Sequence, residues 1–401
     1  MTTRAVVIGE AWGRSEAMFG HAFVGSAGRE LALMCAKVGL LPMPTIKCSG
    51  CREIVAVGDC PHCAKRNYVN EMDMIRHWKM CAERYGIALD NVFHERPPNN
   101  KIELFFGLDG IRDPAIGALD RGKYVLPKYF PHVEALWKRL SDVKPNLIIA
   151  LGNTACWATL GQTKISVIRG TLHASKRLGA KVLPTYHPAA MLRNWALRVI
   201  ILADLEKASR EIAFPEIRRM ERWITTHDYR TGERLTLSEI ENWLDAPASS
   251  YAVDIESGYA LFNKRELEHM TSYMRTLLSS QISMVGFARD PAHALVVPFM
   301  DRNMPGLNYW PDANDEARAW SLVARGVRSR PPKIFQNGNY DIGRFLDYGI
   351  TPRNCVDDTM LKHHAMYPEL LKSLGFLGSV YTDEISWKQM YANRETLKRD
   401  D

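Results

Sequence analysis

Short apolar segments alternate with amphipathic ones through the first half of this chain, and that alternation restricts its fold more than any other feature. Residues 5–9 form a β-branched run ending in glycine, and 91–93, 146–151 and 181–184 are further apolar runs of strand length. Between them, 29–38 places Leu31, Met34, Cys35 and Val38 on one helical face and stops at Gly39. Residues 71–85, 132–140 and 195–209 read as further helices, and Gly152-Asn153-Thr154-Ala155 opens another. Such alternation builds a parallel sheet flanked by helices, with ligands expected at the carboxyl ends of the strands. The segment from Glu10 to Ser26 reads as an unusually long, glycine-rich loop.

Around Phe214-Pro215 the pattern resets. Residues 223–225, 251–255 and 333–335 read as strands, 283–287 and 294–297 as an antiparallel pair, and 237–244 and 342–346 as helical. A mixed sheet with helices is expected there, so the chain reads as two α/β domains, 1–213 and 214–401. A length of 401 residues, 46% of them hydrophobic, supports two or three cored domains and excludes bulk disorder. Fifty-two Lys and Arg against 45 Asp and Glu leave +7, compatible with a polyanionic partner but too small to demonstrate one. No apolar run approaches the roughly 18–20 residues of a membrane span, and Met1-Thr2-Thr3-Arg4 leads into a strand rather than a signal peptide, so no membrane contact and a cytoplasmic address are expected.

The eight cysteines are too few for a disulfide scaffold. Cys48-Ser-Gly-Cys51 and Cys60-Pro-His-Cys63 form two CxxC knuckles, the spacing that closes four thiolates around one zinc ion. A structural zinc is expected, in an insertion spanning 42–67. Cys35, Cys81, Cys156 and Cys355 read as small hydrophobes.

The first strand ends in Gly9-Glu10-Ala11-Trp12-Gly13, with Glu16 and Ala22-Phe23-Val24-Gly25 beyond. Backbone amides, carboxylates and an aromatic ring at one sheet edge suit a pocket for a planar ring. These residues resemble the first motif of the uracil-DNA glycosylase superfamily, closest to its family 4. Asn91-Val92-Phe93-His94-Glu95-Arg96-Pro97-Pro98 resembles the second, and Leu151-Gly152-Asn153-Thr154-Ala155, Arg169-Gly170 and Pro184-Thr185-Tyr186-His187-Pro188 its C-terminal motifs. The resemblance implies that Phe23 stacks on a flipped-out base and that Asn91 bonds its Watson–Crick edge. His187 would donate to the developing anion, Glu10 and Glu16 would shape the pocket and hold water, and Trp12 would line its lip. Arg169 and Arg193 would contact DNA. Trp12 replaces the family's proline, Ala11 offers no acid, and Glu95 stands where a cysteine commonly precedes Arg-Pro-Pro, so no iron–sulfur cluster is expected.

In the second half, Val253-Asp254-Ile255-Glu256 places two acids on one face of a strand inside an apolar run, where their burial calls for a cation. Asn337-Gly338-Asn339-Tyr340-Asp341 opens a helix after the strand at 333–335. Together these resemble the first two motifs of the 3′-to-5′ exonuclease domain of family A DNA polymerases, an RNase H-like fold. Asp357-Asp358-Thr359-Met360-Leu361 and residues 374–381 resemble the strand and helix that follow. The resemblance implies that Asp254, Glu256 and Asp341 bind Mg²⁺ or Mn²⁺, a pair of ions being the usual apparatus of phosphodiester hydrolysis. The third motif, Tyr-x-x-x-Asp, is not matched: Tyr391 is followed by Glu395, and the chain stops at Asp401.

The expectation is therefore a DNA-processing hydrolase, joining a glycosylase-like parallel-sheet domain with a zinc-knuckle insertion to an RNase H-like exonuclease domain, in replication or repair. A separate family A polymerase chain is the expected partner, as in a bacteriophage replication protein. The rival is a non-catalytic DNA-binding accessory subunit with degenerate sites, favoured by Ala11, Trp12 and the unmatched third acid.

Overall fold

A computed structural model describes residues 3–119 and 122–384. The chain divides into two compact units, one built on the residues up to Arg219 together with those from Gly375 onward, the other on Met220–Leu374.

In the first unit, strands Ala5–Ala11 (β1), Ile87–Phe93 (β2), Leu147–Leu151 (β3), His173–Ala174 (β4) and Lys181–Thr185 (β5) form one sheet in the order β4-β5-β3-β1-β2. All pairings are parallel except that of the short edge strand β4 with β5. The central strand β3, Leu147–Leu151, reads as an unbroken apolar run because both its faces are covered. Ala5 and Val7 point into a core with Leu31, Met34, Trp78, Leu183 and Leu205, while Val6 and Ile8 enter a second with Phe93, Trp137, Leu140 and Trp157. The chain runs from β1 outward to β2 and then crosses back to β3, so the loops after β1 and β3 diverge and open a crevice.

The loop expected from Glu10 to Ser26 contains a short helix, Arg14–Phe19, closed by Gly20 in the left-handed region at φ 63°. The following helix begins at Ser26, three residues before the amphipathic pattern shows, and ends at Lys37. The insertion folds as two hairpins, Thr45–Lys47 with Ile54–Ala56 and Gly58–Asp59 with Arg66–Asn67, each carrying one CxxC at its turn. Helix Glu71–Tyr85 resumes behind a reciprocal cap between Asn70 and Asp73.

In the second unit, Trp223–Thr225 (β6), Tyr251–Ser257 (β7), Ile282–Ala288 (β8), His293–Pro298 (β9), Lys333–Phe335 (β10) and Cys355–Asp358 (β11) form a sheet in the order β6-β9-β8-β7-β10-β11. The β7-β8-β9 meander is antiparallel, β10 runs parallel to β7, and β11 parallel to β10. Tyr251, Val253 and Ile255 alternate into a core with Trp243, Phe287, Val323 and Phe345.

The helix Leu374–Tyr381, read from sequence as part of the second domain, belongs from Gly375 onward to the first unit. Its Ser379 carbonyl is held there by Arg169 and Lys207. Tyr391, Glu395 and Asp401 lie outside the described residues. Among the described residues no helix is long and apolar enough to cross a membrane.

Candidate functional site

A cleft of about 480 Å³ opens at the carboxyl ends of the first sheet, and Glu10, Trp12, Glu16, Phe23, Asn91, His187 and Arg193 all line it. Phe23 sits at φ 57°, and its carbonyl accepts a hydrogen bond of 2.9 Å from Trp78 Nε1. Helix Ser26–Lys37 presses so closely that a Cβ at Gly28 would lie 1.7 Å from that carbonyl oxygen. The ring of Phe23 lies nearly parallel to that of His187, 5.9 Å between centroids and 24° between planes. Asn91, on β2 in register with Gly9 of β1, is 3% exposed. Among the described residues its side-chain amide has no hydrogen-bond partner.

His187 caps helix Pro188–Met191, its Nδ1 accepting from the Ala189 amide at 3.1 Å. That bond leaves the proton of the neutral ring on Nε2. Burial, with the nearby Arg193 cation, pushes its pKa down to about 4, so at neutral pH the ring is an uncharged donor. Glu10 accepts from Thr154 Oγ1 at 2.6 Å, and burial raises its pKa. Glu16 accepts from the Gly25 amide at 3.1 Å and ties the short helix to the loop after Phe23. Trp12 stacks on His94, 5.2 Å between centroids and 13° between planes. His94 is in turn anchored to Asp90, which Arg139 grips at 2.8 Å, so Trp12 forms a braced wall of the cleft.

The family model of the uracil DNA glycosylase superfamily matches residues 1–211 of the chain. The chain belongs to that superfamily. A type-4 uracil-DNA glycosylase from Thermotoga maritima is 26% identical over 211 residues, covering 52% of this chain and 77% of the relative.

One residue assigned to DNA from the superfamily motifs does not fit that role. Arg169 is 2% exposed and forms a two-point ion pair with Asp204, which is wholly buried. A guanidinium so enclosed cannot reach a phosphate. Arg193, by contrast, is exposed at the cleft wall. Thr154 is a site residue that sequence reading missed as such, although it lies inside the Gly152-Asn153-Thr154-Ala155 motif.

In the insertion, the four sulfurs of Cys48, Cys51, Cys60 and Cys63 lie within 4.8 Å of one another. The Cys48–Cys63 and Cys51–Cys60 separations are 3.5 and 3.6 Å. A tetrahedral zinc with sulfur ligands at ~2.3 Å requires about 3.8 Å along each edge, so the set fits that ion. Amides of Gly50 and His62 point at Cys48 and Cys60 at 3.4 Å; the Gly50 amide lowers Cys48, while the crowding of neighbouring sulfurs raises Cys51, as expected of thiols packed together, which a shared cation would neutralise.

In the second unit, Asp254 and Glu256 share one face of β7, but it is the solvent-open face, correcting the expectation that they are buried. The apolar residues between them take the inward positions. Asp341 is the buried acid, 3% exposed, and its Oδ1 accepts from the Ile255 amide at 3.0 Å. Burial, then the neighbouring Asp254 charge, pushes Asp341 up to about 6. Partial loss of hydration against the surrounding protein still raises Asp254 and, with the Asp254 charge added, Glu256, although both remain open to solvent. The three carboxylates do not close to the 4.8 Å spacing of the thiols. Asp358 is committed elsewhere, accepting from the Gly338 amide at 2.7 Å and capping helix Thr359–Met366.

Proposed function

We propose that the first unit excises uracil from DNA by flipping the base into the cleft. The observation that carries this reading is the meeting of Phe23, Asn91 and a neutral His187 at one cleft. The flipped ring stacks on Phe23, and the unpartnered Asn91 amide bonds its Watson–Crick edge. As the C1′–N1 bond breaks, the bonding electrons pass to the base, and His187 Nε2–H donates to the oxygen where that charge gathers. A neutral donor suits the task, because the base leaves as an anion and no proton need be surrendered. Glu10 and Glu16 line the sugar side and hold water, whose oxygen adds to C1′ while its proton leaves to solvent or base. Arg193 steers the phosphate backbone. The four thiols would hold zinc and fasten the two hairpins together.

The full chain incubated with uracil-containing single-stranded and duplex DNA should produce abasic sites, and Asn91→Ala or His187→Ala should remove most of that activity. Absence of abasic product from the native chain would overturn the assignment.

A second reading concerns the other unit, which we propose to be an RNase H-like 3′-to-5′ exonuclease. An antiparallel three-strand meander with two further strands parallel to its first, and acids on that first strand, support it. Asp254, Glu256 and Asp341 would hold Mg²⁺ or Mn²⁺, which would supply an activated water and charge neutralisation at the leaving oxygen. Digestion of a 3′-labelled primer with added Mg²⁺ or Mn²⁺ tests it, and equal digestion by Asp254→Ala would sink it. A DNA polymerase is the natural partner on this reading, and copurification tests that step. The accessory-subunit alternative predicts DNA binding with neither activity.

A further inference from the structure

Two cations are buried beside β5, the strand that delivers His187, and only one carboxylate is buried with them. Arg169 is 2% exposed, Lys207 4% and Asp204 0%. Asp204 receives both Arg169 contacts and also the Thr185 hydroxyl at 2.6 Å. Thr185 is the last residue of β5 and stands two positions before His187. The neighbouring Gly170 amide donates to the Pro184 carbonyl at 2.9 Å, so the same cluster grips β5 at two successive residues. One buried carboxylate, helped by the exposed Asp383, does not offset two buried cations, and burial pushes Lys207 down to about 8; a buried charge left without partners is strongly destabilising. The remaining acceptors come from far along the chain. Arg169 Nη1 donates to Ser379 Oγ at 2.8 Å, and its Nη2 reaches the Ser379 carbonyl at 3.3 Å. Lys207 Nζ donates to the Ser379 carbonyl at 2.7 Å, to that of Thr382, and to that of Gly170 at 2.7 Å. Gly170 is the point of closest approach: a Cβ there would lie 2.6 Å from the Ser379 oxygen and 2.7 Å from Asp204 Oδ1.

We infer that the segment around Ser379 and Thr382 is a positioning clamp for the base-excision site, holding β5 and thereby His187 through Arg169, Asp204 and Lys207. None of these residues touches the cleft, so they act through His187 and are positioning residues. Without the segment, Lys207 would keep one of its three carbonyl acceptors and Arg169 would lose its hydroxyl and carbonyl partners. Water would enter to solvate both cations, and the end of β5 would loosen just ahead of His187.

This inference rests on the proposed base excision for one of its two readouts. The other is the titration of His187, which Arg193 faces and whose cleft also holds Glu10 and Glu16. The experiment uses the full chain with Ser379→Ala, Lys207→Met and, as the conservative rescue, Ser379→Thr. Uracil release is measured on a single-stranded oligonucleotide, and histidine titration is followed by NMR. Ser379→Ala should lower kcat about tenfold with KM unchanged, and the His187 midpoint should climb from about 4 toward 6.5 as water gains access. Ser379→Thr should restore both, and Lys207→Met should exceed Ser379→Ala. Native kcat and native His187 titration in Ser379→Ala would overturn the clamp, as would a change confined to KM. Should Lys207→Met fail to fold, Ser379→Ala decides alone. If the native chain releases no uracil, the excision assignment fails while the titration still decides the clamp.

Discussion

Gly9→Ala should disable the base-excision cleft while leaving the unit folded. A Cβ at position 9 would lie 2.2 Å from Asn91 Oδ1 and 2.6 Å from Phe23 Cζ, the two groups proposed to read and stack the base. Ordinary contact begins near 3.4–3.5 Å, so the Asn91 amide must retreat by more than about 1 Å and the Phe23 ring by nearly as much. The backbone cannot give instead, since β1 is paired on both sides, Gly9 with Asn91 and Ile8 with Ala150. Overpacking of this kind costs about 1–3 kcal/mol, a fall of several degrees in Tm for a unit of this size. Misplacing a positioning group by ~1 Å costs about a hundredfold in rate, and two such groups move here, so uracil release should fall at least that far. Single-turnover release from a uracil oligonucleotide measures it, with Gly343→Ala as control because a Cβ there meets nothing within 4 Å. Native release rates from Gly9→Ala would refute the assignment of Asn91 and Phe23 to the base.

The rate of uracil release should show no His187 inflection between pH 6 and 8, because its pKa lies at about 4; an acid limb near 6.5 in the native pH profile would contradict the neutral-donor role. The same depression means that the unfolded chain binds the proton more tightly, so the His187 contribution to stability of the first unit should be constant above about pH 6.5 and should decline as pH falls from there to about 4, as thermal melts over that range would report. Asp341→Asn keeps the acceptor for the Ile255 amide and removes a buried carboxylate whose pKa is raised to about 6, so without metal it should stabilise the second unit at pH 8 by up to about 3 kcal/mol while abolishing metal-dependent digestion; a lowered Tm would argue against a carboxylate destabilised by burial and by the Asp254 charge. Native mass spectrometry should find one zinc per chain and none in Cys60→Ser, and retention of zinc in that variant would exclude the four-thiol site. Arg193→Ala should weaken DNA binding evenly across sequences and lower the salt slope by about 1, and an unchanged slope would remove Arg193 from the phosphate path.

The parallel sheet was legible because burial on both faces leaves strands such as Leu147–Leu151 wholly apolar, and the superfamily motifs place Phe23, Asn91 and His187 where the cleft forms. Arg169 was misread because its partners carry no local signal: Asp204 lies 35 residues on and Ser379 210 residues on. An arginine next to a glycine in a DNA-enzyme motif looks like a phosphate contact until its counter-charge is found. The alternation Tyr251-Ala252-Val253-Asp254-Ile255-Glu256 already held the answer for the acids, since the apolar set takes the core and the period of two sends the carboxylates outward. The helix Arg14–Phe19 escaped notice because it has no buried residue and hence no apolar stripe.

Because the first unit draws on residues both before Arg219 and after Gly375, its assembly during synthesis is split in time. At roughly 5–20 residues per second, the 165 residues from Arg219 to Glu384 take about 8–33 s to emerge. Throughout that interval Arg169 and Lys207 lack the Ser379 and Thr382 carbonyls, whereas all of Met220–Leu374 is on hand as soon as Leu374 has left the ribosome. The later part of the chain is thus positioned to fold to completion first, and the nascent glycosylase waits, hydrated and unfinished, for the residues around Ser379 and Thr382.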